Sequence, residues 1–430
     1  MRFLHIADVH LGNQQYNLKE RYNDFGRAFA DMVTLALDKG VDALVIAGDL
    51  FHKSAVEPLT LLQAEDGLQR LHDAGVPVIV VHGNHDSARY MAQMSWLDYL
   101  GERGLVHLLA PQFDRSGVVL LPWDGQEKQG AYLDIGHIRF VGVPWLGSSA
   151  GHVLGEIAQK LPALPADGIT FTVLVTHAGV EGQMPHMAGG LKFSQINPLK
   201  DVVQYVALGH LHKPYAVDDW IYNPGSLETC GFDEAEYRRG AYLVEVSEEG
   251  SHRAEHLVNV RRLFLSITVD VDLCTTPEAL YSLVQAVVQE ARRKHEADLQ
   301  AIPDPERRKP VVRLILRGNL AFDRSQLDLE KTRQVVLDEF EPLHGRVDDQ
   351  TTLLGLAVET DSTLTREQLE RRVFAALVRG DPRFRGHEDE MTALLQEVKE
   401  MALRKVDPAA IYTLLDAQLH WMEEGSDVDH

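Results

Sequence analysis

Cysteine is almost missing from this 430-residue chain: Cys230 and Cys274 are the two present. Two thiols cannot build a disulfide framework. Without a CxxC pair they also suggest neither a zinc motif nor a redox dithiol, so two ordinary reduced thiols are expected. Long hydrophobic runs are missing as well. No stretch reaches the about 18 uninterrupted apolar residues that a membrane span requires. The opening MRFLHIADVH has no long apolar run before its first charged residues, so a soluble, unsecreted, cytoplasmic protein without a membrane partner is expected. Net positive charge is the third absence. A formal charge of -22 argues against a generally basic surface for nucleic acid. A phosphodiester could still be held where bound cations supply the positive charge.

What is present is a core-forming composition, 45% hydrophobic and 25% charged, that suits about two or three globular domains. Five apolar runs each end in a polar ligand type: RFLHIAD at Asp8, DALVIAGD at Asp49, VPVIVVHGNHD at Asn84 and His85, FTVLVTH at His177, and VVQYVALGHLH at His210 and His212. Phe25, Phe29, Met32, Val33 and Ala36 fall at helical spacing before Gly40, and a second helix fits between Pro58 and Gly75. Strand, helix, strand, helix, strand is a βαβ pattern, and continuous Val/Ile/Leu runs suit strands covered on both faces. If the five runs share one sheet, their terminal polar residues gather at its carboxyl edge.

The gathered set is Asp8, His10, Asp49, Asn84, His177, His210 and His212. Carboxylates, an amide oxygen and imidazoles without thiolate suit Mn²⁺, Fe²⁺ or Zn²⁺. In extended backbone the D-x-H and H-x-H spacings place both side chains of each pair on one side. Asp49 is the natural bridge between two ions. Such an ion pair hydrolyses phosphoesters by activating water and neutralising phosphoryl charge. His85 lies in the opposite chain phase from Asn84, which suits stabilising the transition state or protonating the leaving oxygen.

The series DVH, GDLFH, GNHD, TH and GHLH resembles the signature of the calcineurin-like binuclear metallophosphoesterases. More narrowly, HIADVHLG, ALVIAGDLFHKS, GNHDS, VALGHLHKPY and YNPGSLE resemble the SbcD-type nuclease subunits. GDLFHKS stands where protein Ser/Thr phosphatases typically carry Asp-Arg-Gly, which counts against those enzymes. The resemblance implies an α/β fold: a metallophosphoesterase β-sandwich with flanking helices, an α+β capping domain and a C-terminal helical segment. It implies a Mn²⁺-dependent DNA nuclease, exonucleolytic on duplex ends and endonucleolytic on single strands or hairpins, serving DNA repair at the nucleoid. By the same carry-over, Asp8, His10, Asp49 and His212 hold one ion, and Asp49, Asn84, His177 and His210 the other. His85 takes the catalytic position, and His52 matches the histidine of GDLFH, where it would position the phosphodiester. A small-molecule phosphodiesterase or nucleotidase, and a non-catalytic scaffold of the same fold, are the alternatives.

Other residues have plainer readings. His5 and His82 suit core or supporting imidazoles, and His186 an ordinary loop histidine. Asp86 either orients a neighbour or caps a following helix, and Tyr16 either touches a DNA backbone or sits in a surface loop. YLVEV and HLVNV read as a hairpin turning at Glu248, Glu249 and Gly250, which closes a first domain over residues 1–260. Residues 261–358 read strand, helix, strand, helix, strand. Between Arg261 and Asn319, ten basic residues stand against eight acidic ones, and the resemblance makes this module the DNA cap. Residues 359–430 begin with the linker-like VETDSTLT. Helices follow, one opening on a Thr365/Gln368 capping box and another on Asp407 and Pro408. The resemblance implies that these helices grip an SbcC-type SMC-like ATPase, and that two nuclease subunits pair, with Met91 to Leu100 as the candidate surface.

Overall fold

The computed structural model describes residues 1–87, 94–183, 190–272, 274–353, 365–379, 384 and 386–418. The expectations for His186, for Met91–Gln93 and for most of VETDSTLT lie outside these residues. Contacts divide the chain into two compact bodies. One comprises Met1–Ser266 with His295–Val312 and Glu341–His344; the other comprises Ile267–Lys294, Arg313–Phe340 and Gly345–His430.

The first body opens with β1 (Arg2–Ile6), α1 (Lys19–Lys39), β2 (Ala43–Ile46), α2 (Pro58–Asp73), β3 (Val78–Val80), α3 (Trp96–Glu102) and β4 (His107–Leu108). A hairpin of β5 (Gln112–Asp114) and β6 (Gly117–Val119) leads to β7 (Tyr132–Ile135), β8 (Ile138–Val143), α4 (Ala150–Lys160) and β9 (Phe171–Thr176). There follow α5 (Phe193–Ile196), β10 (Tyr205–Leu208), β11 (Tyr215–Val217), β12 (Ile221–Asn223), β13 (Gly240–Val246) and β14 (His252–Val258).

These strands make two six-stranded sheets, ordered β14-β13-β1-β2-β3-β4 and β11-β12-β10-β9-β8-β7. The strands β1 to β4 run parallel, with β13 antiparallel on the outer side of β1. In the second sheet β8, β9, β10 and β12 are parallel. The five apolar runs therefore do not share one sheet. The first three belong to one sheet and the last two to the other, a distinction that a continuous apolar run cannot carry.

Alternation along each strand then explains the layers. Phe3, Val45 and Ile79 point between the sheets, where they meet Phe140, Val173 and Tyr205. Leu4, Ile6, Leu44 and Val80 point the other way, onto Phe29, Met32 and Val33 of α1 and Leu68 and Leu71 of α2. Val141, Leu174 and Val206 likewise cover Val153, Leu154 and Ile157 of α4. Both faces are covered, hence runs without polar alternation. The Phe3 ring stands edge-on to Phe140 and Tyr205 at 5.5 and 5.3 Å, and burying one such side chain contributes about 1.5–3 kcal/mol. Gly40 ends α1 in left-handed backbone at φ 57°, Pro58 begins α2, and the β13–β14 hairpin turns across 247–251.

After β14 the chain forms β15 (Phe264–Asp270), α6 (Pro277–Ala301), β16 (Val311–Leu320), α7 (Leu329–Phe340) and β17 (His344–Leu353). Their strands form a three-stranded sheet ordered β15-β16-β17, in the element order expected. The last helices are α8 (Arg366–Arg379), α9 (Glu388–Leu403) and α10 (Pro408–Gln418). Gln368 and Thr365 exchange the capping-box hydrogen bonds at 3.0 and 3.3 Å. Val378, Met391 and Leu394 form a small core with Leu414 and Leu415. Among the described residues, no helix is long and apolar enough to cross a membrane.

His5 is a core imidazole, as its place inside a strand suggests. One ring nitrogen meets the Tyr205 hydroxyl and the other the Leu208 carbonyl, both at 3.0 Å. Burial pushes its pKa down to about 3, so the native state holds it neutral while the unfolded chain protonates it below about 6.5. Its stabilising contribution is thus complete above that pH and is lost as pH falls towards 3, with a slope of up to about 1.4 kcal/mol per pH unit. Urea titrations at pH 7, 6, 5 and 4 should show a shallower loss of stability in His5→Leu than in the wild type. Parallel pH profiles would refute this account.

Candidate metal centre

The carboxyl ends of β1, β2, β3, β9 and β10 meet at one edge of the two-sheet sandwich. Asp8 and His10 follow β1, Asp49 follows β2, Asn84 follows β3, His177 follows β9, and His210 and His212 follow β10. Strand-like alternation is not what joins the pairs. Asp8, His10, Asp49 and His210 all have left-handed backbone, at φ 50°, 52°, 53° and 82°. Such conformations cost about 1–3 kcal/mol each and persist where their surroundings enforce them. Here Asp8 N–H donates to the Gly48 carbonyl at 3.1 Å, His10 N–H to the Asp49 carbonyl at 3.0 Å, and His210 N–H to the Asp8 carboxylate at 3.0 Å.

Two groups of donors result. His177 Nε2 lies 3.2 Å from Asp49 Oδ2 and 3.1 Å from Asn84 Oδ1, and His210 Nδ1 lies 3.1 Å from the same Asn84 oxygen. On the other side His10 Nε2 faces His212 Nε2 at 3.0 Å, with Asp8 Oδ1 3.9 Å from His212 and 4.0 Å from His10. Asp8, His10 and Asp49 offer oxygen and nitrogen atoms that lie within 4.8 Å of one another, so Asp49 belongs to both groups. All seven residues singled out from the sequence come together.

Hydrogen bonds fix which nitrogen points inward. His177 Nδ1 donates to the Ala47 carbonyl at 2.8 Å, and His212 Nδ1 to Glu234 Oε1 at 2.6 Å. Each leaves Nε2 facing the centre, the usual orientation of a ligating imidazole. Burial holds the pKa of His10 well below its ordinary value, and burial with the nearby His177 brings His210 down to about 4. Both therefore present lone pairs. Burial alone would raise the Asp49 pKa, but the hydrogen bond and charge of His177 more than offset it and keep the carboxylate ionised.

The residues fit divalent ions. Donors 3.0–3.2 Å apart are spaced like neighbouring ligands about an ion with bonds of about 2.1 Å. The buried His10 Nδ1 also has no hydrogen-bond partner. Glycines set the close approach of the loops: a Cβ at Gly83 would lie 2.0 Å from Asp49 Oδ1, and one at Gly48 2.4 Å from His177 Nδ1.

His85 stands at the rim with its side chain 38% exposed, its Nε2 4.0 Å from Asp49 Oδ2. Its backbone N–H donates to Asp49 Oδ1 at 2.9 Å, and its Nδ1 donates to the His52 carbonyl at 2.7 Å. The His52 ring stacks on that of His85 at 5.5 Å, so His52 orients its neighbour through both carbonyl and ring. The segment that Asp86 was expected to cap falls largely on residues 88–93, outside those described. Asp86 accepts the N–H groups of Leu50, Phe51 and Gly83 at 3.2, 2.9 and 3.1 Å, tying the loop after β2 to the loop after β3. Tyr16 stacks on His344 at 4.3 Å, and His82 Nε2 meets Ser95 Oγ at 2.8 Å.

Sequence reasoning passed over Glu234 and read Cys230 as an ordinary reduced thiol. The Glu234 carboxylate receives His212 Nδ1 with one oxygen and the Cys230 N–H with the other, at 2.6 and 2.9 Å. The acidic FDEAE segment after the last motif was the available signal. A buried network of Arg21, Asp24, Glu228 and Arg262 stands behind it, with contacts of 2.7–3.3 Å.

Two covered sheets with oxygen and imidazole donors at a shared edge define a metal-dependent phosphoester hydrolase. Residues 1–214 match the family described as calcineurin-like phosphoesterase. The chain is 25% identical to the DNA double-strand break repair protein Mre11 of Saccharolobus solfataricus over 410 residues, covering 93% of this chain and 95% of that one. It is 34% identical to the Archaeoglobus fulgidus protein of the same name over 239 residues, 55% and 52% of the two chains, and 46% identical to that of Haloferax volcanii over 104 residues, 24% and 23%. The first half is thus a calcineurin-like metallophosphoesterase domain, a fold that uses a dinuclear metal centre and for which this chain has candidate ligand groups, and the chain is a homologue of the Mre11/SbcD-type nucleases.

Ions that bind the folded state alone stabilise it, by about 2.7 kcal/mol at a hundredfold excess over Kd. Removing them with EDTA should lower the Tm, and Mn²⁺ should restore it. Gly83→Ala pushes a methyl group against Asp49 and should abolish most of the Mn²⁺-dependent rise; a full rise in that variant would show that Asp49 does not need this approach.

Proposed function

We propose that this chain is the nuclease subunit of a DNA-end-processing complex. It hydrolyses phosphodiesters of duplex ends exonucleolytically and of single strands or hairpins endonucleolytically, and works in the cytoplasm with an SMC-like ATPase. The observation that carries this reading is the exposed His85 beside two convergent donor groups, in a chain similar to Mre11 over nearly its whole length.

Asp8, His10, Asp49 and His212 would hold one Mn²⁺, and Asp49, Asn84, His177 and His210 the other. When bound, the ions supply a Lewis-acidic surface that lowers the pKa of water and neutralises phosphoryl charge. The chain's own residues do the rest. Asp49 keeps the two groups in register. His52 holds the His85 ring through its carbonyl, which leaves Nε2 free to meet the phosphoryl or leaving oxygen and to carry its proton. Asp86 holds the two loops that carry Asp49 and His85.

The distal parts extend the proposal. The α+β module would cap bound DNA. The C-terminal helices would dock the ATPase, and their exposed apolar residues, Leu377, Leu403 and Tyr412, at 49%, 64% and 67%, support this. Pairing of two nuclease subunits through Met91 to Leu100 belongs to the same reading, with Met94 exposed while Leu97 and Leu100 serve the core.

The purified chain should cleave end-labelled duplex DNA in Mn²⁺ and not in EDTA. His85→Gln should retain Mn²⁺ binding and lose about 10²–10⁴-fold in rate. Cleavage of a small phosphodiester with DNA untouched would replace the nuclease reading with a small-molecule phosphodiesterase. Full activity of His85→Gln on DNA would remove His85 from the mechanism.

A further inference from the structure

Cys230 lies on the edge of the metal centre. Its Sγ and the imidazole nitrogens of His10 and His212 lie within 4.8 Å of one another. The thiol is partly buried, lies 3.7 Å from the Glu228 carbonyl and interacts with the His212 side chain. His10 is 2% exposed, and its Nδ1 has no hydrogen-bond partner. The backbone that carries Cys230 is held by three neighbours. Its N–H donates to Glu234 Oε2, its carbonyl accepts Gln15 Nε2 at 2.8 Å, and Arg21 holds both the Glu228 carboxylate and the Thr229 carbonyl, at 3.3 and 2.9 Å. Glu234 thus fixes Cys230 with one oxygen and His212 with the other.

We propose that Cys230, His10 and His212 form a site for a thiophilic divalent ion, Zn²⁺ above all, whose occupation withdraws both histidines from the hydrolytic centre and stops turnover. The chemistry follows from the donors. A thiolate with two imidazoles suits Zn²⁺, whereas Mn²⁺ lies at the weak end of the divalent series and favours oxygen. On binding, the thiol proton passes to solvent and sulfur gives its lone pair to the ion. His212 already presents Nε2, because its Nδ1–H is taken by Glu234. Both states need His10, so filling one empties the other. Zinc would act as an off-switch for the manganese-dependent activity, with Cys230 as the residue that makes the chain sensitive to it.

This rests on His10 and His212 being metal ligands, and Co²⁺ as a spectroscopic probe separates the two claims. The full chain titrated with Co²⁺ should show d–d bands from the imidazole and carboxylate ligands, plus a near-ultraviolet thiolate-to-cobalt charge-transfer band. Cys230→Ser should lose the charge-transfer band while keeping the d–d bands, and Cys274→Ser, which alters the other thiol, should keep both. Zn²⁺ should arrest Mn²⁺-supported hydrolysis in the wild type, and half-arrest of Cys230→Ser, referred to its own Mn²⁺ rate, should need at least about 10-fold more Zn²⁺. Absence of all cobalt bands would overturn the metal-centre reading itself. Cobalt bands without a thiolate band in the wild type, or equal zinc sensitivity of Cys230→Ser, would overturn the role of Cys230 alone.

Discussion

The carboxylate of Asp49 is the point on which the site depends. It stands where the two sheets meet, 3.2 Å from His177 of the second sheet while accepting the His85 N–H from the neighbouring loop of the first. One charged group therefore holds a ligand that lies more than a hundred positions from it in sequence. It can do so because nothing larger than hydrogen occupies Gly83, and because Asp86 fixes both adjoining loops. Burying a carboxylate is costly unless its oxygens are paired. Here one of the pairing groups, His177, is also one that would share an ion with it.

The strand ends carried most of the site legibly. An apolar run that stops at Asp8, Asp49, Asn84, His177 or His210 gives residue type and place together, and strand polarity brings such ends to one edge. The helix limits at Gly40 and Pro58 were legible for local reasons, a left-handed cap and a fixed φ. What stayed hidden was non-local. Runs such as ALVI and FTVLVT are equally apolar, and nothing in them tells which of two facing sheets receives them. The left-handed turns at Asp8, His10 and His210 were also invisible, because tertiary hydrogen bonds enforce them on residues that do not require them.

Glu234 and Cys230 escaped for a further reason. A supporting carboxylate acts through one contact to a ligand 22 positions away, and no spacing rule covers that distance. Asp86 shows the same limit from the other direction: its position beside His85 was plain, but two of the three backbone groups it gathers lie 36 and 35 residues upstream. Sequence thus revealed the groups that present donors, and left unresolved those that hold them still.

The pairing of β1 with β13 has a consequence for synthesis. Arg2 lies opposite Glu245, so β1 borders one of the last strands of its body. Until β13 emerges, β1 presents an unpaired edge, the kind of surface that nascent chains must shield. Contacts of such long sequence separation also slow folding. A chain halted before Gly240 would carry every strand-end donor yet lack the two strands that complete the first sheet beside β1.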